Sequence, residues 1–205
     1  MSFLEICLLF SLMVALAVIP SSSVALVVAR SSTAGFFNGA AVAAGIVAGD
    51  IVYVVMAVIG MAELASVLGG WFSILRYLAG MYLIWFGINI LRQKIFIKVE
   101  SDDISASTLG ASFFSGLILT LGDVKAIFFY ASLFPAFIDL ATITNADIVT
   151  IINITVISVG GVKLAYAYFA RKLISYFMGY KAPRTIELTA GSLLVGAGAY
   201  IITKT

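Results

Sequence analysis

Two stretches of this chain are copies of one another. Segments 78–91 (LAGMYLIWFGINIL) and 189–202 (TAGSLLVGAGAYII) match without a gap at Ala79/Ala190, Gly80/Gly191, Leu83/Leu194, Gly87/Gly198 and Ile90/Ile201. The copies lie about half a chain apart, so the second half repeats the first. If each half crosses a membrane three times, the odd number forces the halves into opposite orientations. Inverted repeats of this kind build many secondary transporters and place a binding site at the repeat interface.

The membrane itself follows from composition. Hydrophobic residues make up 62% of the 205 residues and charged residues 11%, against about a quarter charged in soluble domains. No soluble fold of this length hides so much apolar surface, so a bilayer must cover it. The net charge is +2 and the basic residues sit in loops rather than on one face, which gives nucleic-acid binding little support. A single cysteine, Cys7, excludes an internal disulfide, and the lack of any histidine excludes a His-based metal or acid–base site.

Six apolar stretches are each near the roughly 20 residues a helix needs to cross. They fall at about 6–29, 40–62, 72–91, 111–138, 148–170 and 188–203. The first is expected to stay as a helix, because no positive residue precedes its apolar run and Glu5 stands there instead. The fourth is over-long and interrupted. The only long polar stretch, 92–110, reads as the linker between halves. The expected architecture is thus all-α and integral to the membrane. One transmembrane domain spans 1–205, with a first three-helix repeat over 1–91, a cytoplasmic linker over 92–110 and an inverted second repeat over 111–205. Helices 1 and 4 are expected to be broken. In span 2, Gly39, Ala43, Gly45, Ala48 and Gly49 supply the small residues that let helix backbones approach; such faces permit a homodimer without requiring one.

Loop cations set the orientation. Arg30, Arg92, Lys94, Lys98, Arg171, Lys172, Lys181 and Arg184 fall on one side, against Arg76 and Lys204 on the other. The first group is expected in the cytoplasm, with both termini outside. The loop carrying Asp139 and Asp147 agrees, being free of cations.

Four ionisable residues lie inside apolar stretches: Asp50, Asp123, Lys125 and Lys163. On insertion scales each costs about 2.5–3.5 kcal/mol at a helix centre, so each needs a partner or a wet cavity. At the helical rise, Asp50 lies about 15 Å and Lys163 about 11 Å from the cytoplasmic end of spans 2 and 5. Because Asp50 and Tyr53 line up with Lys163 and Tyr166 in the repeat, Asp50 and Lys163 are expected to meet across the interface, as a structural ion pair or as part of a transport site. Asp123 and Lys125 interrupt the fourth stretch beside Gly122. Broken backbone is tolerated at that depth only where it is buried in protein or lines a cavity, so the expectation is a broken helix whose freed amides and carbonyls bind a zwitterion. The equivalent break in span 1 is Pro20 with Ser21, Ser22 and Ser23. Proline removes a helix hydrogen bond and the serines can satisfy freed carbonyls.

At these residues the chain resembles the LysE/RhtB family of amino-acid exporters, along almost its whole length. The stretches that carry the resemblance are 20–30 (PSSSVALVVAR), Gly35, 44–50 (AGIVAGD), 78–87 (LAGMYLIWFG), 123–129 (DVKAIFF) and 134–139 (FPAFID). The family's Pro-Gly-Pro is Pro20, Ser21 and Ser22 here, and its Asn-Pro-Lys is Asp123, Val124 and Lys125. Asp123 adds a negative charge where the family has a neutral amide, which would favour a cationic substrate or ion, or else neutralise Lys125.

The resemblance implies export of amino acids or related small metabolites across a bacterial cytoplasmic (inner) membrane by proton antiport, without a cofactor. It implies that Lys125, with amides freed near Pro20, Ser21, Ser22 and Ser23, holds a substrate carboxylate. Asp123 or Asp50 would hold the amine or carry the proton, since a carboxylate inside a membrane can load and release one. A cation partner would make Asp50 the poorer carrier. Tyr53, Tyr130 and Tyr166 would shape the cavity. The alternatives are an inorganic (metal) ion exporter and a passive channel of the same architecture. Hard-cation sites want several oxygen ligands, and few carboxylates lie in the membrane. An enzyme would need a nucleophile–base pair; no His or Cys cluster supplies one, which leaves only Ser21–Ser23 beside a lysine from the other half.

Overall fold

The computed structural model describes residues 1, 3–68, 72–92, 108–137, 143–170, 172 and 184–204. Most of the expected linker, and the loop cations Lys94, Lys98, Arg171 and Lys181, lie outside the described residues, as does Asp139. Among those described, the chain is helical throughout.

The first expected span is two helices. α1 (Phe3–Val18) and α2 (Ser22–Ala34) meet at an angle of 62°. The fourth is likewise two: α5 (Leu109–Leu121) and α6 (Val124–Phe137), also bent by 62°. Between them run α3 (Phe36–Leu68) and α4 (Phe72–Arg92). Gly35, with φ 91°, gives the turn from α2 into α3 a conformation that L side chains disfavour. After α6, α7 (Asn145–Thr155) continues through a π-helical turn (Val156–Gly160) into α8 (Gly161–Tyr168). The last described helix is α9 (Arg184–Lys204). It starts earlier than its apolar stretch suggested, because its first turn is polar.

Two continuous segments, Phe36–Gly60 and Asn145–Tyr168, are long and apolar enough to cross a membrane, and each bent pair is so if taken as one span. Many large apolar side chains, Met56, Ile59, Phe114, Ile118 and Ile157 among them, point outward, as a lipid-covered surface requires.

Two seams hold the bundle together, and glycine makes both. α3 runs parallel to α5. A Cβ added at Gly45 would lie 2.0 Å from the carbonyl oxygen of Phe113, and one at Gly116 would lie 2.2 Å from that of Val42. The second seam joins the repeated segments themselves. α4 packs antiparallel on α9, with Gly80 against the Gly198 carbonyl and Gly87 against the Gly191 carbonyl. Gly80 corresponds to Gly191 in the repeat and Gly87 to Gly198, so the two contacts are the same contact seen from either side. Every matched residue of the repeat is buried: Ala79, Leu83 and Ile90 in α4; Ala190, Leu194 and Ile201 in α9; and the four glycines. The repeat is a helix face that recognises its own copy, as in a self-complementary two-fold interface.

Adding a methyl where backbones touch should cost about 1–3 kcal/mol by overpacking. Gly45→Ala and Gly87→Ala are therefore expected to lower the thermal unfolding midpoint of the detergent-solubilised protein. Gly60→Ala, where a Cβ would meet nothing within 4 Å, should leave it unchanged; equal midpoints for all three would refute the close-seam account.

A charged cavity between two broken helices

The site is built from what each break leaves unpaired. Pro20 has no N–H, and α1 ends at Val18 with Ile19 N–H turning back to Leu16 O at 3.2 Å. The carbonyls of Ala17 and Val18 are left without helical donors. Tyr166 of α8 donates its hydroxyl to Val18 O at 2.8 Å, and the Lys163 ammonium donates to Ala17 O at 3.2 Å. At the other break, Tyr53 of α3 places its hydroxyl 2.8 Å from Leu121 O and 3.1 Å from Thr120 O. Tyr53 and Tyr166 are the residues paired by the repeat. Each reaches from a helix in one half of the chain to the bent helix pair in the other.

The start of each second half-helix is treated differently. At α6 the Asp123 carboxylate accepts the backbone N–H of Lys125 at 2.9 Å, an N-cap made by the residue's own side chain. At α2, Ser21 makes no such cap. Its hydroxyl pairs instead with that of Ser23 at 2.9 Å, and Lys163 Nζ lies 3.1 Å from the Ser23 hydroxyl. The first amides of α2, which have no acceptor within the helix, stay open beside a cation.

A cavity of about 1140 Å³ lies between the breaks, slightly above the 300–1,000 Å³ of most ligand pockets. Pro20, Ser21, Ser22, Ser23, Asp50, Asp123, Lys125 and Lys163 all line it. Residues from α2, α3, α6 and α8 are thus gathered at one place. Lys163 and Asp50 are buried, at 3% and 7% exposure, whereas Lys125 is exposed. The lysine in contact with the serine segment is Lys163 rather than Lys125. Asp50 and Lys163 lie within electrostatic reach of each other, and Asp123 within reach of both. No direct bridge joins Asp50 to Lys163 among the contacts of the described residues. The Tyr130 hydroxyl of α6 stands near Asp50 and lies 3.9 Å from Met13 Sδ. Of the three tyrosines expected to shape the cavity, Tyr130 lines it, while Tyr53 and Tyr166 secure the two breaks.

The wall that sequence reading missed comes from α4. Tyr82, Trp85, Phe86, Asn89 and Ile90 line the cavity with Phe128. Tyr82 stacks on Phe86 and leans on Phe128, both at 5.8 Å between centroids. Thr120 of α5 lines it too. The signals were there in Asn89, an amide inside an apolar helix, and in Thr120 at the edge of a break; attention to ionisable groups alone passed over both.

Removing the hydroxyl in Tyr53→Phe or Tyr166→Phe leaves a carbonyl unpaired where water is scarce, a loss of about 1–3 kcal/mol. Both variants should melt earlier than the parent while Tyr168→Phe, at the exposed end of α8, should not. Parental stability in both would show that the hydroxyls do not hold the breaks.

Known proteins place this geometry. A curated membrane protein of Synechocystis, itself uncharacterized, is 37% identical over 194 residues, 95% of this chain and 93% of its own length. The leucine efflux protein of Salmonella typhimurium is 28% identical over 187 residues, 90% of this chain and 88% of its own. That of Klebsiella pneumoniae is 36% identical over 105 residues, about half of each chain. No solved structure matches. The family model for the LysE type translocator matches residues 14–205, almost the whole length, including both breaks and both copies of the repeat; the chain belongs to the LysE type translocators, a family of membrane transporters and not of enzymes.

Proposed function

We propose that this protein exports amino acids or closely related small metabolites from the cytoplasm, in exchange for protons. The observation that carries the reading is the single cavity in which the two helix breaks meet, lined by two buried or half-buried carboxylates and two lysines. Such a site suits a substrate with one positive and one negative end. Leucine efflux relatives in Salmonella and Klebsiella support an amino acid as cargo. The apolar, aromatic wall from α4 and α6 gives an aliphatic or aromatic side chain a place to lie.

The architecture belongs to the proposal. α4 and α9 complete six spans, and the reciprocal glycine contacts between them, the equal bends of the broken pairs and the exchanged tyrosines support two inverted three-helix repeats. Under this reading the loop cations face the cytoplasm of a bacterial inner membrane, with both termini outside. Lys125 and Lys163 draw a substrate carboxylate; Asp50 and Asp123 receive its ammonium or carry the proton. An inorganic cation is the weaker cargo. Among the described residues no three carboxylate, thiol or imidazole side chains gather at one point, and hard cations need several such oxygens.

Proteoliposomes carrying the purified protein and an internal pH dye test the reading. Neutral, basic and hydroxylated amino acids are screened, with Asp123→Asn and Lys125→Ala in parallel. Proton counter-flow is expected with one amino-acid class and should fall at least tenfold in Lys125→Ala. Silence with every amino acid would sink the proposal, and substrate flux without protons would leave a channel in its place.

A further inference from the structure

Thr120 is a buried polar residue in the cavity wall with no assigned work. It is buried, at 5% exposure, and its hydroxyl has no hydrogen-bond partner. Its Cβ and Cγ2 take the contact with Gly49, so packing holds the methyl and leaves the hydroxyl out of that contact. Its carbonyl is occupied by Tyr53 and by Asp123 N–H; the hydroxyl alone is spare. An orphan of this kind costs about 1–3 kcal/mol, and its presence in a cavity wall calls for a reason.

The neighbour of Gly49 in the chain is Asp50, a buried carboxylate that lines the same cavity and does not bridge to Lys163. Thr120 also stands in the last turn of α5, where the helix dipole is negative. Acceptors and negative charge therefore collect where α5 ends against α3: a carboxylate, an unpaired hydroxyl and a helix C-terminus. The Lys163 ammonium, Ser23 and the uncapped amides of α2 line the same cavity at the other break. Asp123 is committed to capping α6.

We infer that Asp50 and the Thr120 hydroxyl form the seat for the substrate's α-ammonium group, so that the cargo is held as a zwitterion with its carboxylate toward Lys163 and Ser23. The inference rests on the export reading and narrows it. A cargo must carry both charges on neighbouring carbons: an amino acid binds, whereas the matching acid without the amine, or the amine without the acid, does not. Thr120 then fixes affinity, and Asp123 remains for the helix cap or the proton.

The test uses the reconstituted protein with leucine as the first probe. Isocaproate lacks its amine, isoamylamine its carboxylate, and N-acetylleucine its positive charge. If another amino acid drives counter-flow, its own analogues enter the same comparison. None of the three analogues should compete with the amino acid. Thr120→Val, which keeps the shape and deletes the hydroxyl, should raise KM about tenfold, as for one lost hydrogen bond to a charged group, with kcat little changed. Thr120→Ser should recover most of the affinity. The thermal midpoint gives the independent readout: because the hydroxyl has no partner, Thr120→Val should melt no earlier than the parent, whereas a structural role predicts a loss. Amino-acid transport with an unchanged KM in Thr120→Val, or with equal competition by isocaproate, overturns this inference and leaves the export reading standing. No transport of any amino acid by the parent protein removes both.

Discussion

An apolar interior gives an unpaired carbonyl nowhere to go, and this molecule breaks two apolar stretches, each bent by 62°. The arrangement depends on how those carbonyls are satisfied. Tyr166 and Lys163 hold the end of α1, and Tyr53 holds the end of α5. Each donor comes from a helix in the other half of the chain, so the breaks also tie the halves together. Once the breaks are held, amides, carbonyls and the charges beside them can face an internal cavity instead of lipid, which is the condition under which irregular backbone survives at that depth.

The glycine seams make those reaches short enough. Gly45, Gly49 and Gly116 let α3 and α5 touch backbone to backbone, which brings the Tyr53 hydroxyl to the Leu121 carbonyl. The π-helical turn at Val156–Gly160 stands just before Lys163 on the span that delivers it to α1, and such turns are frequent at functional sites. Ser158 and Thr155 absorb the disturbance by bonding Ile154 O and Ile151 O. Packing and chemistry are therefore one problem here: the side chains that carry charge are placed by residues that carry no side chain.

Much of this was legible in the sequence, for identifiable reasons. Charge inside an apolar run is expensive, so Asp50, Asp123, Lys125 and Lys163 announced themselves, and Pro20 marked its break. What could not be read was partnership. Alignment of the repeat set Asp50 opposite Lys163, yet the ammonium bonds Ala17 O and Ser23, because a freed carbonyl and a hydroxyl compete for it at closer range. Asp123 next to Lys125 looked like a charge pair, but a carboxylate at a helix start reaches the backbone N–H two residues on more easily than the side chain there. The aromatic wall of α4 was invisible because tyrosine and tryptophan in a membrane helix carry no cost that would flag them. Boundaries were blurred where polar first turns, as at α9, extend a helix past its apolar stretch.

The self-matching face shared by α4 and α9 also has a consequence in time. The ribosome finishes α4 long before it begins α9, and at about 5–20 residues per second the interval is on the order of 5–20 s. Throughout it, α4 lies in the membrane with a glycine-lined groove made to fit a helix that does not yet exist. Another newly made α4 offers nearly the same surface, but on the inverted-repeat reading it enters in the same direction and cannot lie antiparallel in that groove. The nascent chain thus waits with the groove empty, and the final helix, running the other way, is the latch that closes it.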